Sequence, residues 1–225
     1  MALITISRQI GSGSQELSQL LCSELDLAPL DKYTMLRVAY EAGISPQEFV
    51  DYSEDEYERR GFLDELFRRS RPLAETDMWI GSPDIGYERR SRILDEHDAI
   101  DMVRATIMAA YERDQVLIIG RGGQAILEHE PDVLHVRVIA PMEERLAHIE
   151  AQHEMERTQA LGYLQDSDAN TAEYLQKFYH IDPDDPTMYH LIVNTDKLSI
   201  KGAAVLIEQA FRRLPPRSSK ADDQE

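Results

Sequence analysis

Cysteine is nearly absent from this chain, with Cys22 the only one in 225 residues. A single thiol excludes an internal disulfide and a Cys-rich zinc site, and it makes a reducing compartment, the cytoplasm, the expected location. On the first predicted helix, beside Leu21 and Leu25, Cys22 reads as a small buried hydrophobe rather than a nucleophile. Basic residues are also scarce, 24 Lys and Arg against 42 Asp and Glu, for a net charge of −18. Such a surface repels polyanions, so neither nucleic acid nor an anionic membrane is an expected partner. No stretch approaches the roughly 18 apolar residues of a membrane span, and the opening MALITISRQIGSGS lacks the apolar core of an export signal. The seven histidines include no pair at i, i+4 spacing, so no metal ligand set is assigned. Trp79 and the ten tyrosines do not alternate with basic residues, and no Ser-His-Asp arrangement has a nucleophile elbow.

What the chain does have is an alternation of apolar β-branched runs with helical periodicity. Ala2 to Ile6 is followed by a Gly and Ser cluster and then by Leu17, Leu20, Leu21 and Leu25 at helical spacing. Gln115 to Ile119 and Val133 to Ile139 repeat the pattern, with helices expected from Gln124 and from Met142; Leu191 to Val193 and a segment around Pro29 to Leu30 complete five strands. Near-continuous apolar runs suit strands covered on both faces, so the spacing predicts a three-layer α/β/α sandwich around a parallel five-stranded sheet. The domain is expected to span 1–214, with a tail from 215 to 225 that has no apolar anchor. Two stretches break the rhythm and are expected to be inserts. One is a mostly helical interval of about 32–113, with the acidic DYSEDEYERRGFLDE and a loop marked by Gly81, Pro83 and Gly86. The other runs over about 148–186 and closes on the breaker-rich IDPDDP. Solvated surface helices and mobile flaps over a site at the strand ends are both open readings.

Ser7 to Glu16 joins the first strand to the first helix, where backbone N–H groups and a helix N-terminus form an anion site. Gly11 and Gly13 permit close approach to a phosphate. A dinucleotide fingerprint competes, since Asp31 sits about 20 residues on, but Glu16 occupies its third glycine.

Five ordered blocks carry a further likeness: ITISRQIGSGSQELSQLL, LDKYTMLRVAYEAG, VLIIGRGGQAIL, VLHVRVIAPMEERLAHI and YLQKFYHIDPDDPTMYHLIVNTDKLSI. On these the chain resembles the cytidylate kinase-like family of P-loop nucleoside monophosphate kinases over nearly its full length. The resemblance implies transfer of the γ-phosphoryl group from Mg²⁺·ATP to a nucleoside monophosphate, most often CMP or dCMP. It implies that Gly11, Ser12, Gly13, Ser14 and Gln15 hold the donor phosphates, and that Arg37 and Arg121 clamp the acceptor phosphate. Asp31 would lie near the acceptor ribose or the metal. The interval 32–113 becomes the acceptor-binding insert, with Tyr33 and Tyr40 either lining the pocket or packed in the core, and 148–186 becomes the lid.

The pattern departs from the family in three places. A standard phosphate loop, G-x-x-x-x-G-K-S/T, has a Lys and a hydroxyl where this chain has Ser14 and Gln15, and its first Gly is Arg8. Arg8 either swings over the phosphates or is a surface loop residue. Thr171 stands where the lid is expected to carry an arginine, three residues after Asp168. Arg145, Arg157 and Lys177 are the basic residues available to compensate, unless they are paired with neighbours such as Glu143, Glu144 and Glu173. In the turn Gly120-Arg121-Gly122, the acid expected after the arginine is missing. Two functional readings follow: a kinase, or a nucleotide-binding pseudokinase that senses without turnover. A dinucleotide-dependent oxidoreductase ranks third, and the oligomeric state is left open.

Overall fold

The computed structural model describes residues 3–30, 74–82, 86–94 and 96–215, with side chains for 3–30 and 100–215. Asp31, Tyr33, Arg37, Tyr40, the acidic 51–65 stretch and the tail from 216 lie outside the described residues.

Seven strands and six α-helices follow one another among those residues: β1 (Leu3–Arg8), α1 (Ser14–Leu25), β2 (Ala28–Leu30), β3 (Ala74–Ser82), β4 (Gly86–Leu94), α2 (Glu96–Arg113), β5 (Val116–Ile119), α3 (Gly123–Ile126), β6 (Val133–Ile139), α4 (Met142–His153), α5 (Arg157–Tyr179), β7 (Leu191–Asn194) and α6 (Ile200–Phe211). Five of the strands form one sheet in the order β2-β5-β1-β6-β7, all parallel. β1 is central because it is apolar on both sides of its pleat. Leu3 faces a cluster with Val103, Ile107, Ile118, Leu127 and Val133, while Ile4 and Ile6 face Leu17, Leu21, Val136, Ala203 and Ile207. The first cluster brings α2 onto one face of the sheet, and the second brings α1 and α6 onto the other, so the expected three layers are present. Full burial of each such Leu or Ile is worth about 1.5–3 kcal/mol, which is why the strand pattern dominates the fold.

Two expectations are corrected here. The interval 32–113, expected to be mostly helical, contains two strands between 74 and 94. β3 and β4 form an antiparallel hairpin, Ala74 opposite Leu94 and Ser82 opposite Gly86, so Gly81 and Gly86 belong to strands rather than to the expected loop. α2, placed inside that insert by its polar sequence, presents Val103, Ile107, Ala110 and Tyr111 to the sheet and belongs to the core layer. The lid boundary at 148 also falls inside α4, which runs to His153. The break comes at Glu154, whose φ of 53° ends the helix before α5 begins.

Face one of the sheet holds a polar exception. His135, on β6 and 3% exposed, shares its Nδ1 with the Thr5 hydroxyl at 2.7 Å, its Nε2 lies 3.2 Å from the Leu127 carbonyl, and its ring stacks on His190 at 5.3 Å. Burial, reinforced by the neighbouring His190, pushes His135 down to about 4 from its ordinary 6.5. The folded state therefore holds a neutral ring. As pH falls from 6.5 toward 4 the unfolded chain takes up a proton that the folded chain refuses, and stability drops, by about 2 kcal/mol at pH 5 relative to pH 7.5. Urea unfolding at the two pH values, on the wild type and on His135→Gln, checks this: the variant is expected to show a smaller drop, and equal drops would exclude His135 as the cause.

Candidate active site

The loop between β1 and α1 is tied down from three sides. The Gln9 N–H donates to the Val138 carbonyl at 3.0 Å, and its side-chain Oε1 accepts from the Ala140 N–H at 3.3 Å. Thr195, just past β7, donates its hydroxyl to the Ser12 carbonyl at 2.8 Å and lies 3.2 Å from the Ile139 carbonyl. Gly11 (φ 78°) lies against α4, where a Cβ would stand 2.8 Å from the Arg145 carbonyl oxygen, so no larger residue fits. Gly13 (φ 69°) forms the N-cap of α1, against Ile200. Thr195 holds the Ser12 carbonyl, and the loop leads into the first turn of α1, where free N–H groups and the helix dipole favour an anion. The Ser12 hydroxyl is buried and makes no hydrogen bond among the described residues. Ser14 is buried at the start of α1 and accepts from the Ser18 hydroxyl through its carbonyl, whereas Gln15 is exposed. Arg8 is half-buried at the end of β1.

Beside this loop, at the end of β5, the chain makes a second tight turn. The Gly120 N–H donates to the Ile6 carbonyl, which anchors the turn directly alongside β1, and the Gly123 N–H returns to the Gly120 carbonyl at 3.2 Å. Arg121 and Gly122 occupy the two central positions with φ of 63° and 70°, a mirror-image turn that a side-chain-bearing residue enters at a cost of about 1–2 kcal/mol. Strain of this kind gathers at functional sites. Arg121 is nevertheless 2% exposed, among the largest fully buried side chains of the described residues. The missing acid of this turn has a steric reason: a Cβ on Gly122 would meet the Tyr179 ring at 2.4 Å. Tyr179, in the last turn of α5, lies against the turn with its hydroxyl 3.4 Å from the Arg121 carbonyl. The exposed Arg104 of α2 stands over that ring, 5.8 Å from its centroid. Arg104 escaped the sequence reading because a lone arginine on an amphipathic helix carries no motif.

The lid residues part company. Arg145, on α4, is 2% exposed; it donates Nε to the Ile10 carbonyl at 2.7 Å and forks both terminal nitrogens onto the Asp168 carboxylate of α5 at 2.7 and 2.8 Å. One guanidinium thus joins the β1–α1 loop to α5. Arg157 is exposed at the seam of α4 and α5, paired with Glu143. Lys177 is exposed and its ammonium lies 5.1 Å from the Phe178 ring centroid. Thr171 is buried on the face of α5 that includes Tyr174 and Leu175. A further buried cation, Arg137 on β6, donates to the Ser7 hydroxyl at 2.8 Å and to Asp184 at 2.7 Å, fastening the IDPDDP segment to the sheet. The loop, Arg121 and Arg145 are thus brought together at the carboxyl ends of the strands, while Arg157 and Lys177 are held at the surface. Among the described residues no group of three metal-ligating side chains occurs, and no helix is long and apolar enough to cross a membrane.

Comparison with known proteins places the chain in a family. A model of the cytidylate kinase-like family matches residues 3–197. The crystal structure of an uncharacterized protein from Eubacterium ventriosum superposes with a TM-score of 0.64 at 14% identity, covering 95% of this chain and 99% of that one. Shikimate kinase from Bacteroides thetaiotaomicron superposes with a TM-score of 0.50 at 12% identity, covering 94% and 98%. At such identities the likeness is one of fold. No curated protein matches the chain.

Two expected outcomes follow from the geometry. Gly122→Ala is expected to cost about 2 kcal/mol or more in chemical unfolding, through overpacking against Tyr179. The penalty should shrink in a Tyr179→Ala background, and additivity in that double-mutant cycle would remove the ring as its cause. Arg145→Ala is expected to cost about 2–3 kcal/mol in the same measurement, below the full loss for a buried pair because Asp168 keeps about a third of its exposure.

Proposed function

From the premise that the chain belongs to the cytidylate kinase-like family, we propose that it transfers the γ-phosphoryl group of ATP to a nucleoside monophosphate, CMP or dCMP foremost. One observation carries this reading: the phosphate-type loop and the strained Arg121 turn leave the carboxyl ends of neighbouring strands, β1 and β5, joined by the Gly120–Ile6 hydrogen bond. Phosphoryl transfer asks the protein chiefly for positioning and for positive charge where negative charge develops. In this reading the N–H groups of Gly11 to Ser14 hold the donor phosphates, with Gln15 at the rim of the site. Arg121 draws the acceptor phosphate toward them, assisted by Arg37 and by Asp31 on the ribose side. Arg8 serves the donor side from the end of β1.

Magnesium fits the same residues. The buried Ser12 hydroxyl without a hydrogen bond among the described residues is an oxygen donor of the hard kind that Mg²⁺ prefers, and phosphates would supply most of the remaining ligands. When bound, the ion neutralises phosphate charge. The protein's own contribution is to fix the loop through Thr195, Gln9 and Arg145 so that its amides need no rearrangement. Arg145 is assigned a positioning role here, because its donors are committed to Asp168 and the Ile10 carbonyl. Arg157 or Lys177 would have to leave the surface to reach transferring phosphate.

That last geometry favours the second reading, a nucleotide-binding pseudokinase. With Ser14 in place of the loop lysine, Thr171 buried and Arg145 engaged, transition-state charge rests on fewer cations than a standard P-loop kinase provides.

Production of ADP from Mg²⁺·ATP with CMP, dCMP, UMP, AMP and GMP in turn separates the two. Acceptor-dependent ADP is expected with a pyrimidine nucleotide, and Arg121→Ala is expected to lower kcat by about 100-fold or more. ATP binding without turnover on any acceptor would leave the pseudokinase.

A further inference from the structure

Arg137 carries a buried positive charge to which the proposed function gives no role. It lies on β6 opposite Ser7 and is 4% exposed, with one terminal nitrogen on the Ser7 hydroxyl at 2.8 Å and the other on the Asp184 carboxylate at 2.7 Å. Its place on the sheet follows from the pleat. Leu3, Thr5 and Ser7 alternate onto one face of β1, where Leu3 meets the cluster of α2 and Gly123 of α3 lies against Thr5. His135 bonds Thr5 in this row, and Arg137 bonds Ser7 one step nearer the carboxyl ends of the strands. The Ile6 carbonyl beside Ser7 anchors Gly120 of the Arg121 turn, and Arg8 after it opens the phosphate-type loop. Arg137 thus stands on the face that carries α3, with its partner Ser7 next to the roots of both the loop and the turn.

The two partners of this ion pair are unequal. The guanidinium is sealed in, whereas the Asp184 side chain is 73% exposed. A buried cation without an anion is costly, but a largely solvated carboxylate gains little from its partner, so the demand for the pair comes from Arg137. The segment that carries Asp184 has other fastenings. The Asp184 N–H donates to the Asp182 carboxylate, the Tyr189 hydroxyl donates to the Pro183 carbonyl, and the Asp185 carboxylate accepts from the Thr187 N–H. Asp184 can therefore turn its side chain into solvent while the backbone stays in place. A planar guanidinium is matched to phosphate, and a phosphate monoester, with nearly two negative charges, competes well against a single carboxylate. We propose that Arg137 is a further binding residue for the phosphate of the acceptor, and that Asp184 is its stand-in, holding the guanidinium until that phosphate displaces it. The assignment rests on the reading of the acceptor as a nucleoside monophosphate. The contact is self-inhibitory: it keeps the buried charge paired while the site is empty, and a neutral nucleoside has nothing with which to displace it.

The test is calorimetric titration of CMP, AMP, ribose 5-phosphate, cytidine and ATP into wild type and Asp184→Asn, with the melting temperature of each protein. Asn keeps an oxygen for the guanidinium and removes the competing charge. Asp184→Asn is therefore expected to bind the preferred monophosphate about threefold to fivefold more tightly, with cytidine and ATP unchanged. A pair that only fastens the segment predicts no gain, so unchanged or weaker monophosphate affinity overturns the proposal. An equal gain for ATP or for cytidine overturns it too, because the acceptor phosphate is then not what Asp184 excludes. Arg137→Gln is expected to weaken the monophosphate about tenfold or more, and adding Asp184→Asn to it should give no gain. A gain that persists without Arg137 overturns the pairing. Should Arg137→Gln misfold, the sign of the Asp184→Asn effect decides alone. The nucleotide reading is scored separately. If ribose 5-phosphate gains in Asp184→Asn and no nucleotide binds better than it does, the nucleoside monophosphate fails and the stand-in survives. A wild type that prefers a nucleoside monophosphate, with no change in Asp184→Asn, loses only the stand-in.

Discussion

A buried guanidinium without its acceptors would be too costly to fold around, and Arg145 meets that constraint by drawing three parts of the molecule onto itself. Its own backbone forms the floor on which Gly11 rests, its Nε holds the Ile10 carbonyl, and its fork closes on Asp168. The phosphate loop, α4 and α5 cannot be separated without exposing an unpaired buried charge. That requirement accounts for the loop geometry from one side, as Thr195 does from the other. Together they hold the Ile10 and Ser12 carbonyls toward the protein. α5 is therefore joined to the β1–α1 loop through Asp168 and to the Arg121 turn through Tyr179.

How far these features could be read from the sequence depends on how local their causes are. The strands were legible because period and burial coincide: Val133 to Ile139 was expected with the bounds it has, and the short β2 was found from Pro29 and Leu30. The tight turns at the two glycines of the loop and at Gly120-Arg121-Gly122 were also legible, since positive φ and close approach select glycine. α2 was misplaced because its polar face is long and its apolar stripe, Val103, Ile107 and Ala110, is what a surface helix also shows. The hairpin β3–β4 was missed because charged residues such as Arg89, Arg90 and Arg92 mask its alternation.

What the sequence did not disclose were contacts between residues distant in the chain. Arg145 and Asp168, 23 positions apart, looked like two solvated helix charges; nothing local marks them as partners. The absent acid at Gly122 looked like a lost function and is equally a steric consequence of a tyrosine 57 residues later. Arg137 and Asp184, 47 positions apart, stood in separate motifs and likewise carried no mark of their pairing.

The Thr195 clamp has a consequence for the order in which the site comes into being. Ser12 and Thr195 are separated by 183 positions, so the loop is synthesised well before the residue that restrains it. Until β7 has docked on β6, the sheet can be four strands wide with Ser12 held from one side only. Long-range closure of this kind is slow and entropically costly. It makes the geometry of the loop depend on the docking of β7 as well as on the loop's own glycines.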